Sequence, residues 1–286
     1  MDKLKMKACA KINLCLHIPA LRQDGYHELD SVFQSIGLFD CVTLKKADGI
    51  KITCDDERVP TDETNTCYKA AKAVMAAANV PGVWVDIEKC IPSQAGLGGG
   101  SADAAAVIVG MNELYGCGLS FEQMEKIGTL IGADVPFFVR GGCMRAQGIG
   151  DILSPLKNPF SHDVVVIKPK GGVSTPESYR LFDQSGTLGG SATAMVDALE
   201  KKDEEAYFLT VSNALEVCAF MLAPQSEQAV AALKQMGAKA AQVTGSGSAV
   251  FGLFEKGSGQ AAKEKLEKMD FEQVFLADMR EKSLSF

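Results

Sequence analysis

The chain has 286 residues, enough for two compact cores. Hydrophobic residues make up 47% and charged residues 23%, an ordinary globular balance. The formal net charge of −7 argues against a nucleic-acid partner, and no apolar run has the length of a membrane span. The opening residues MDKLKMKAC lack the apolar core of a secretion signal. Nine scattered cysteines, odd in number and without a CxxC pair, fit neither a zinc pattern nor a disulfide framework. Free thiols in a cytoplasmic protein are the expectation.

Residues 6–18 alternate, with Ala8, Ala10, Ile12, Leu14, Leu16 and Ile18 on one side. Lys7, Cys9, Lys11, Asn13, Cys15 and His17 fall on the other, which predicts a half-buried strand. Short strands are predicted at 31–38, 41–46 and 50–54. Asn65 to Ala78 reads as a helix stopped by the turn Asn79-Val80-Pro81-Gly82. Trp84 to Glu88 alternates again. The alanine-rich run after Ser101 predicts a helix to about Tyr115. Ser120 and Gln123 form a capping box for a further helix, with Phe121, Met124, Ile127 and Leu130 on its apolar face. A turn at Gly148-Ile149-Gly150-Asp151 precedes a linker at Asn158-Pro159-Phe160-Ser161. Beyond it DVVVIKP reads as a strand and 191–236 as mostly helical. QVTGSGSAVFGLF reads as two strands around a Gly-Ser turn. A helix at 258–268 and a strand at 273–279 follow. Strand pairs separated from helices predict an α+β fold, and the linker predicts domains at 1–157 and 158–286.

The segment Cys90 to Met111 reads CIPSQAGLGGGSADAAAVIVGM. Amide groups at a helix start have no partner inside the helix and carry the positive end of its dipole. Glycines ahead of such a start let an anion approach the backbone, so the loop suits phosphate; a flexible connector with Ser101 as a plain N-cap is the alternative. A Walker loop would need a lysine at the helix start, and the Rossmann fingerprint a glycine where Ser101 stands. Neither fits.

Lys11 and Asn13 share one strand face, where a lysine is by itself most often a solvated charge. Asp134 stands in the largely apolar segment Gly132-Ala133-Asp134-Val135-Pro136-Phe137-Phe138. A carboxylate in such company calls for a partner, and a buried N-cap or structural ion pair is one account of it. Asp103 falls in the first helical turn, where the dipole favours an acid. It reads as structural, with a water-bridged Mg²⁺ as the alternative. His17 and His162 carry no functional reading.

IPSQAGLGGGSADAAA resembles the second motif of the superfamily of galactokinase, homoserine kinase, mevalonate kinase and phosphomevalonate kinase, the GHMP kinases. AKINLCLHI with RQDGYHELDSVFQSI, LIGADVPFFVRGG and TGSGSAVFGLF narrow the resemblance to the 4-diphosphocytidyl-2-C-methyl-D-erythritol kinase family. It runs from about Ala10 to Phe254, with the motifs in order. The resemblance implies an N-terminal domain like the second domain of ribosomal protein S5, and a ferredoxin-like C-terminal domain. It implies transfer of the ATP γ-phosphate, with Mg²⁺, to a hydroxyl of a cytidine-diphosphate-linked methylerythritol, in the non-mevalonate route to isoprenoids. Its phosphate loop comprises Pro92, Ser93, Gln94, Ala95, Gly96, Leu97, Gly98, Gly99, Gly100, Ser101 and Ala102. It makes Asp134 the general base and Lys11 the neighbour that keeps it ionised and offsets phosphoryl charge. Asn13 would contact the substrate near its reacting end. Tyr26 would stack on the cytosine, His27 would meet its hydrogen-bonding edge, and Tyr179 is the best match for a second aromatic.

Three positions depart from the family pattern: Ala102 for a serine, Ala214 for an aspartate, and Thr244 for a serine. The alanines leave a non-catalytic nucleotide-binding relative as an alternative. Another GHMP-superfamily kinase, acting on mevalonate or homoserine, is the second alternative. DGYHEL speaks against it, since those acceptors carry no base to stack upon. The partner expected is a small molecule, with no nucleic acid and no membrane; oligomeric state is not legible.

Overall fold

Two sheets organise the chain in a computed structural model that describes residues 2–185 and 187–286. The first half runs β1 (Lys3–Leu21), β2 (His27–Lys46), β3 (Lys51–Cys54), α1 (Thr66–Ala78), β4 (Val83–Glu88), α2 (Gly99–Tyr115), α3 (Phe121–Thr129), α4 (Val135–Arg140), β5 (Cys143–Gly148) and β6 (Ile152–Leu156). The second half runs β7 (Asp163–Lys168), α5 (Thr175–Ser185), α6 (Thr193–Lys201), α7 (Glu204–Leu209), β8 (Ser212–Asn213), α8 (Glu216–Leu222), α9 (Gln225–Gln235), β9 (Ala240–Val243), β10 (Val250–Phe254), α10 (Gly259–Leu266), β11 (Gln273–Asp278) and β12 (Leu284–Ser285).

The first sheet has the order β12-β1-β2-β4-β3, with β5 and β6 continuing from β2, and β8 pairing in parallel with β1. The second is antiparallel, β11-β7-β10-β9. The polypeptide first crosses between them at 157–162, and the second half later returns β8 and β12 to the first sheet.

Strand β1 is the axis of the molecule. Its register against β2 shifts at Cys9/Lys11, Asn13/Cys15 and His17/Ala20. Such irregularities re-aim side chains. Ile12 and Leu14 pack toward Val164, Val166, Phe251 and Leu253 of the second sheet. Met6 and Ala8 pack with Phe33, Phe137 and Phe138 in the core under α1, α2 and α4. Both faces of β1 are therefore covered over residues 8–16, and Lys11, Asn13 and Cys15 are buried rather than solvated, while Lys7 stays exposed. The half-buried strand expected from the alternation is corrected on this point. The alternation registered polarity, whereas the covering layer comes from segments far away in the chain.

Helix α1 keeps its predicted limits. Asn65 Oδ1 accepts from Cys67 N, and Asn79 ends the helix in the left-handed region. The capping box at Ser120 forms as expected. Met124 and Ile127 are buried, but Phe121 and Leu130 are 52% and 81% exposed, so the apolar face is narrower than predicted. The Phe121 ring lies 5.5 Å from the Arg140 guanidinium instead. The two strands predicted at 31–38 and 41–46 are one strand that pairs with β5 through 29–34 and with β4 through 41–46. The sequence reading does not include α4, α5, the β5–β6 hairpin or β12; α4 and β12 are short, at 6 and 2 residues.

Candidate active site

The glycine loop links β4 to α2. Gly98, at φ 75°, occupies the N-cap position, so Gly99 and Gly100 form the first helical turn and Ser101 lies inside it. Ser101 is thus not the cap. Its amide and that of Ala102 both donate to the Gly98 carbonyl, at 3.0 and 2.9 Å. The amides of Gly98, Gly99 and Gly100 find no acceptor among the described residues. Those are the groups an anion would take. Side chains are excluded at two points: a Cβ on Gly96 would fall 2.1 Å from the Thr244 carbonyl oxygen, and one on Gly98 would fall 2.6 Å from the Phe138 ring. The backbone is braced from three sides. Lys11 N donates to Leu97 O, Ala249 N to Ala95 O, and Val173 N to Gln94 O.

The loop forms one wall of a cavity of about 540 Å³. Pro92 through Ser101 all line it, and Ala102 does not. The Ala102 methyl is fully buried in the core beneath α2. Ala102 thus offers the cavity no side chain, because a 100° step per residue turns position 102 inward.

Lys11 and Asp134 meet in the same cavity, Lys11 Nζ to Asp134 Oδ2 at 3.8 Å. Lys11 also donates to Asn13 Oδ1 at 2.7 Å and lies 4.7 Å from the Phe33 ring centroid. Asn13 is fixed in turn. Its Nδ2 donates to Ser31 Oγ at 3.0 Å, and its backbone amide donates to Thr244 Oγ1 at 3.1 Å. Burial lowers the Lys11 pKa from its ordinary value, and Asp134 pulls it back. Asp134 occupies the N-cap position of α4 yet makes no capping bond, and its side chain is one-third exposed toward the cavity. That disposition differs from a buried cap.

Tyr179 on α5 also lines the cavity, and burial pushes its phenol pKa up. It stacks on His27 with centroids 4.8 Å apart, and His27 Nε2 lies 2.7 Å from Asp183 Oδ1. Tyr26 is 62% exposed on the turn between β1 and β2, outside the cavity lining. Its amide donates to Asp24 Oδ1 at 3.1 Å, which holds the turn outward. Asp103 is buried and bonded to Lys89, away from the exposed loop surface. Burial comes first among the causes that push its carboxyl up to about 7; Lys89 opposes it and Asp40 adds to it. Sequence reasoning missed Leu16, Leu29, Ile149 and Leu215, which add apolar surface to the cavity lining. It also missed Lys89 and Thr66 beside the helix start. Only a structure brings these dispersed residues together.

Free amides at a glycine-rich helix start, sharing one cavity with a lysine–aspartate pair, are the parts a phosphotransferase needs. Residues 65–142 match the GHMP kinases N terminal domain and 194–270 the GHMP kinases C terminal domain. Proteins named 4-diphosphocytidyl-2-C-methyl-D-erythritol kinase from Bacillus cereus and Bacillus anthracis are 41% identical over 254 residues, 88% of this chain and 88% of theirs. A crystal structure of 4-(cytidine 5'-diphospho)-2C-methyl-D-erythritol kinase superposes with TM-score 0.81 at 32% identity, over 96% of this chain and 99% of that one. A homoserine kinase from Cytophaga hutchinsonii superposes equally well, TM-score 0.81, at 19% identity over 100% and 97% of the two chains. That likeness is one of fold alone. The chain belongs to the 4-diphosphocytidyl-2-C-methyl-D-erythritol kinase family of the GHMP kinases. The expected α+β fold is borne out, and the chain is a small-molecule kinase with ATP as co-substrate. Among the described residues no helix is long and apolar enough to cross a membrane.

Proposed function

We propose that this chain transfers the γ-phosphoryl group of ATP to a hydroxyl of 4-diphosphocytidyl-2-C-methyl-D-erythritol, in the non-mevalonate route to isoprenoid precursors. The observation that carries this reading is the Lys11–Asp134 pair, 3.8 Å apart, in the same cavity as the free Gly98–Gly100 amides. The acceptor hydroxyl gives its proton to the Asp134 carboxylate. Its oxygen bonds to the γ-phosphorus, the bond from that phosphorus to the β–γ bridging oxygen breaks, and ADP leaves. Lys11, tethered by Asn13, offsets charge on the moving phosphoryl group, and the loop amides hold the remaining phosphates. Alignment and charge stabilisation are most of what this chemistry needs.

At the acceptor end, Tyr179 walls the cytosine, and Tyr26 covers it from the rim turn. His27 meets the hydrogen-bonding edge of the base, and Asn13 lies near the reacting hydroxyl. Mg²⁺ suits the oxygen donors present: the cavity offers the Ser101 hydroxyl and the Asp134 carboxylate. Among the described residues no cluster of three His, Cys, Asp or Glu could hold a metal, so phosphate and water would supply most of its ligands. Ser101 would hold the ion, whose charge would neutralise the phosphates. We assign residues 1–157 to ATP binding and catalysis, and 158–286 to a supporting ferredoxin-like domain. The nine free cysteines, five of them buried, suit a reducing cytoplasm.

The test is ADP release with ATP, Mg²⁺ and a panel of acceptors. Turnover is expected with the cytidine-linked acceptor and not with mevalonate or homoserine. No ADP from any acceptor would favour a nucleotide-binding relative without activity and sink the proposal.

A further inference from the structure

We infer that Lys89, tied to Asp40 and Asp103, is a positioning residue that holds the glycine loop in its ATP-binding shape. Lys89 directly follows β4, and its side chain is 8% exposed. Its ammonium forms ion pairs with Asp40 of β2 and, at 2.8 Å, with Asp103 of α2. The other oxygen of Asp40 accepts from the amides of Cys90 at 2.6 Å and Ile91 at 2.7 Å. Three consecutive residues at the loop's entrance are thereby fixed to β2. Asp103 sits on α2 just past the loop's exit, so one ammonium ties both ends of the loop together.

The loop needs such a tie. Gly96, Gly98, Gly99 and Gly100 give the free chain more conformations than any other residue type would. An untied loop would have to lose that freedom when ATP binds, which lowers affinity; a loop ordered beforehand avoids the loss. The free amides at Gly98–Gly100 converge only while the start of α2 keeps its distance from the end of β4. Lys89 lies close to the loop itself: a Cβ added at Gly99 would fall 3.3 Å from Lys89 Nζ. Lys89 acts through the loop, and its ion pairs with Asp40 and Asp103 share no residue with the Lys11–Asp134 pair.

The experiment measures binding of a non-hydrolysable ATP analogue by calorimetry, with melting curves and steady-state kinetics alongside. Asp103→Leu cuts the tie to α2 and leaves Lys89 paired with Asp40. Lys89→Met combined with Asp40→Asn and Asp103→Asn removes every charge of the cluster, so no buried charge is left unpaired. It decides the matter if the single variant does not fold. We expect analogue affinity to fall about tenfold, the scale of one lost ordering contact, with KM for ATP rising in step. KM for the acceptor should stay within about twofold, a split that general loosening of the fold would not produce. A folded variant that binds the analogue as the wild type does overturns the inference, as does an equal rise in both KM values. The binding measurement needs no acceptor, so its outcome stands apart from the choice of acceptor.

Discussion

Lys11 illustrates how a residue's neighbours decide its chemistry. On an open strand face it would be a solvated ammonium. Here it is buried against Phe33, bonded to Asn13 and 3.8 Å from Asp134. Asp134 makes no capping bond, so its carboxylate contributes little to α4. Asp134→Asn should therefore fold and bind ATP normally, while kcat drops roughly two to four orders of magnitude, the usual scale for a lost general base. Near-normal kcat at saturating substrates would remove Asp134 from the base's role. Tyr179 allows a second check at this scale. Tyr179→Ala should raise KM for the acceptor about tenfold, since base–aromatic stacking is worth on the order of 1–3 kcal/mol. KM for ATP should hardly move, and Tyr179→Phe should be mild. An Ala variant with ordinary acceptor KM would place the base elsewhere.

At the scale of the element, the loop and α2 behave as one unit. Gly98→Ala adds a methyl at φ 75° and 2.6 Å from the Phe138 ring. Either the helix start or Phe138 must move, so ATP-analogue binding should fall at least tenfold and the melting temperature should drop. Unchanged binding in that variant would separate the loop from ATP. Ala102→Ser tests the departure from the family pattern. The side chain at 102 faces the core, where the added hydroxyl has the Gly98 carbonyl one turn back as an acceptor. KM for ATP should change less than tenfold, and stability by no more than about 1 kcal/mol. A large gain in turnover would mean the alanine had disabled the site.

Across the whole molecule, Asp30 latches the C-terminal half to the first sheet. Its carboxylate accepts two bonds from Arg145, at 2.8 and 2.7 Å, one from Ser191 Oγ at 2.9 Å and one from the Ala192 amide at 3.1 Å. Burial works to raise its pKa, but Arg145, the Ala192 amide and Ser191 outweigh it and hold the carboxyl below its ordinary value. The sign follows: a depressed carboxyl pKa stabilises the fold fully above the unfolded value of about 3.9, and that stability is lost as pH falls through the folded value. Denaturant unfolding of the wild type and Asp30→Asn should differ most at neutral pH and converge below about pH 4. A difference that stays constant into acid would rule out the latch as the titrating group.

Local chemistry was legible in the amino-acid order wherever the interacting groups lie within one turn of each other. Asn65 and Asn79 bound α1, Ser120 and Gln123 cap α3, and the glycines at the start of α2 leave backbone amides without partners among the described residues. The family motifs extended that reading to the fold and to the Lys11 and Asp134 pair. Only the tertiary structure decided which side chains face the cavity. It buried both faces of β1 over residues 8–16, turned Ala102 into the core, left Tyr26 exposed outside the cavity lining, and brought Lys89 between Asp40 and Asp103. These outcomes depend on segments distant in the chain, joined by register shifts in β1 and by strands β8 and β12 returning to the first sheet. Periodicity along one segment carries no information about what another segment lays over it.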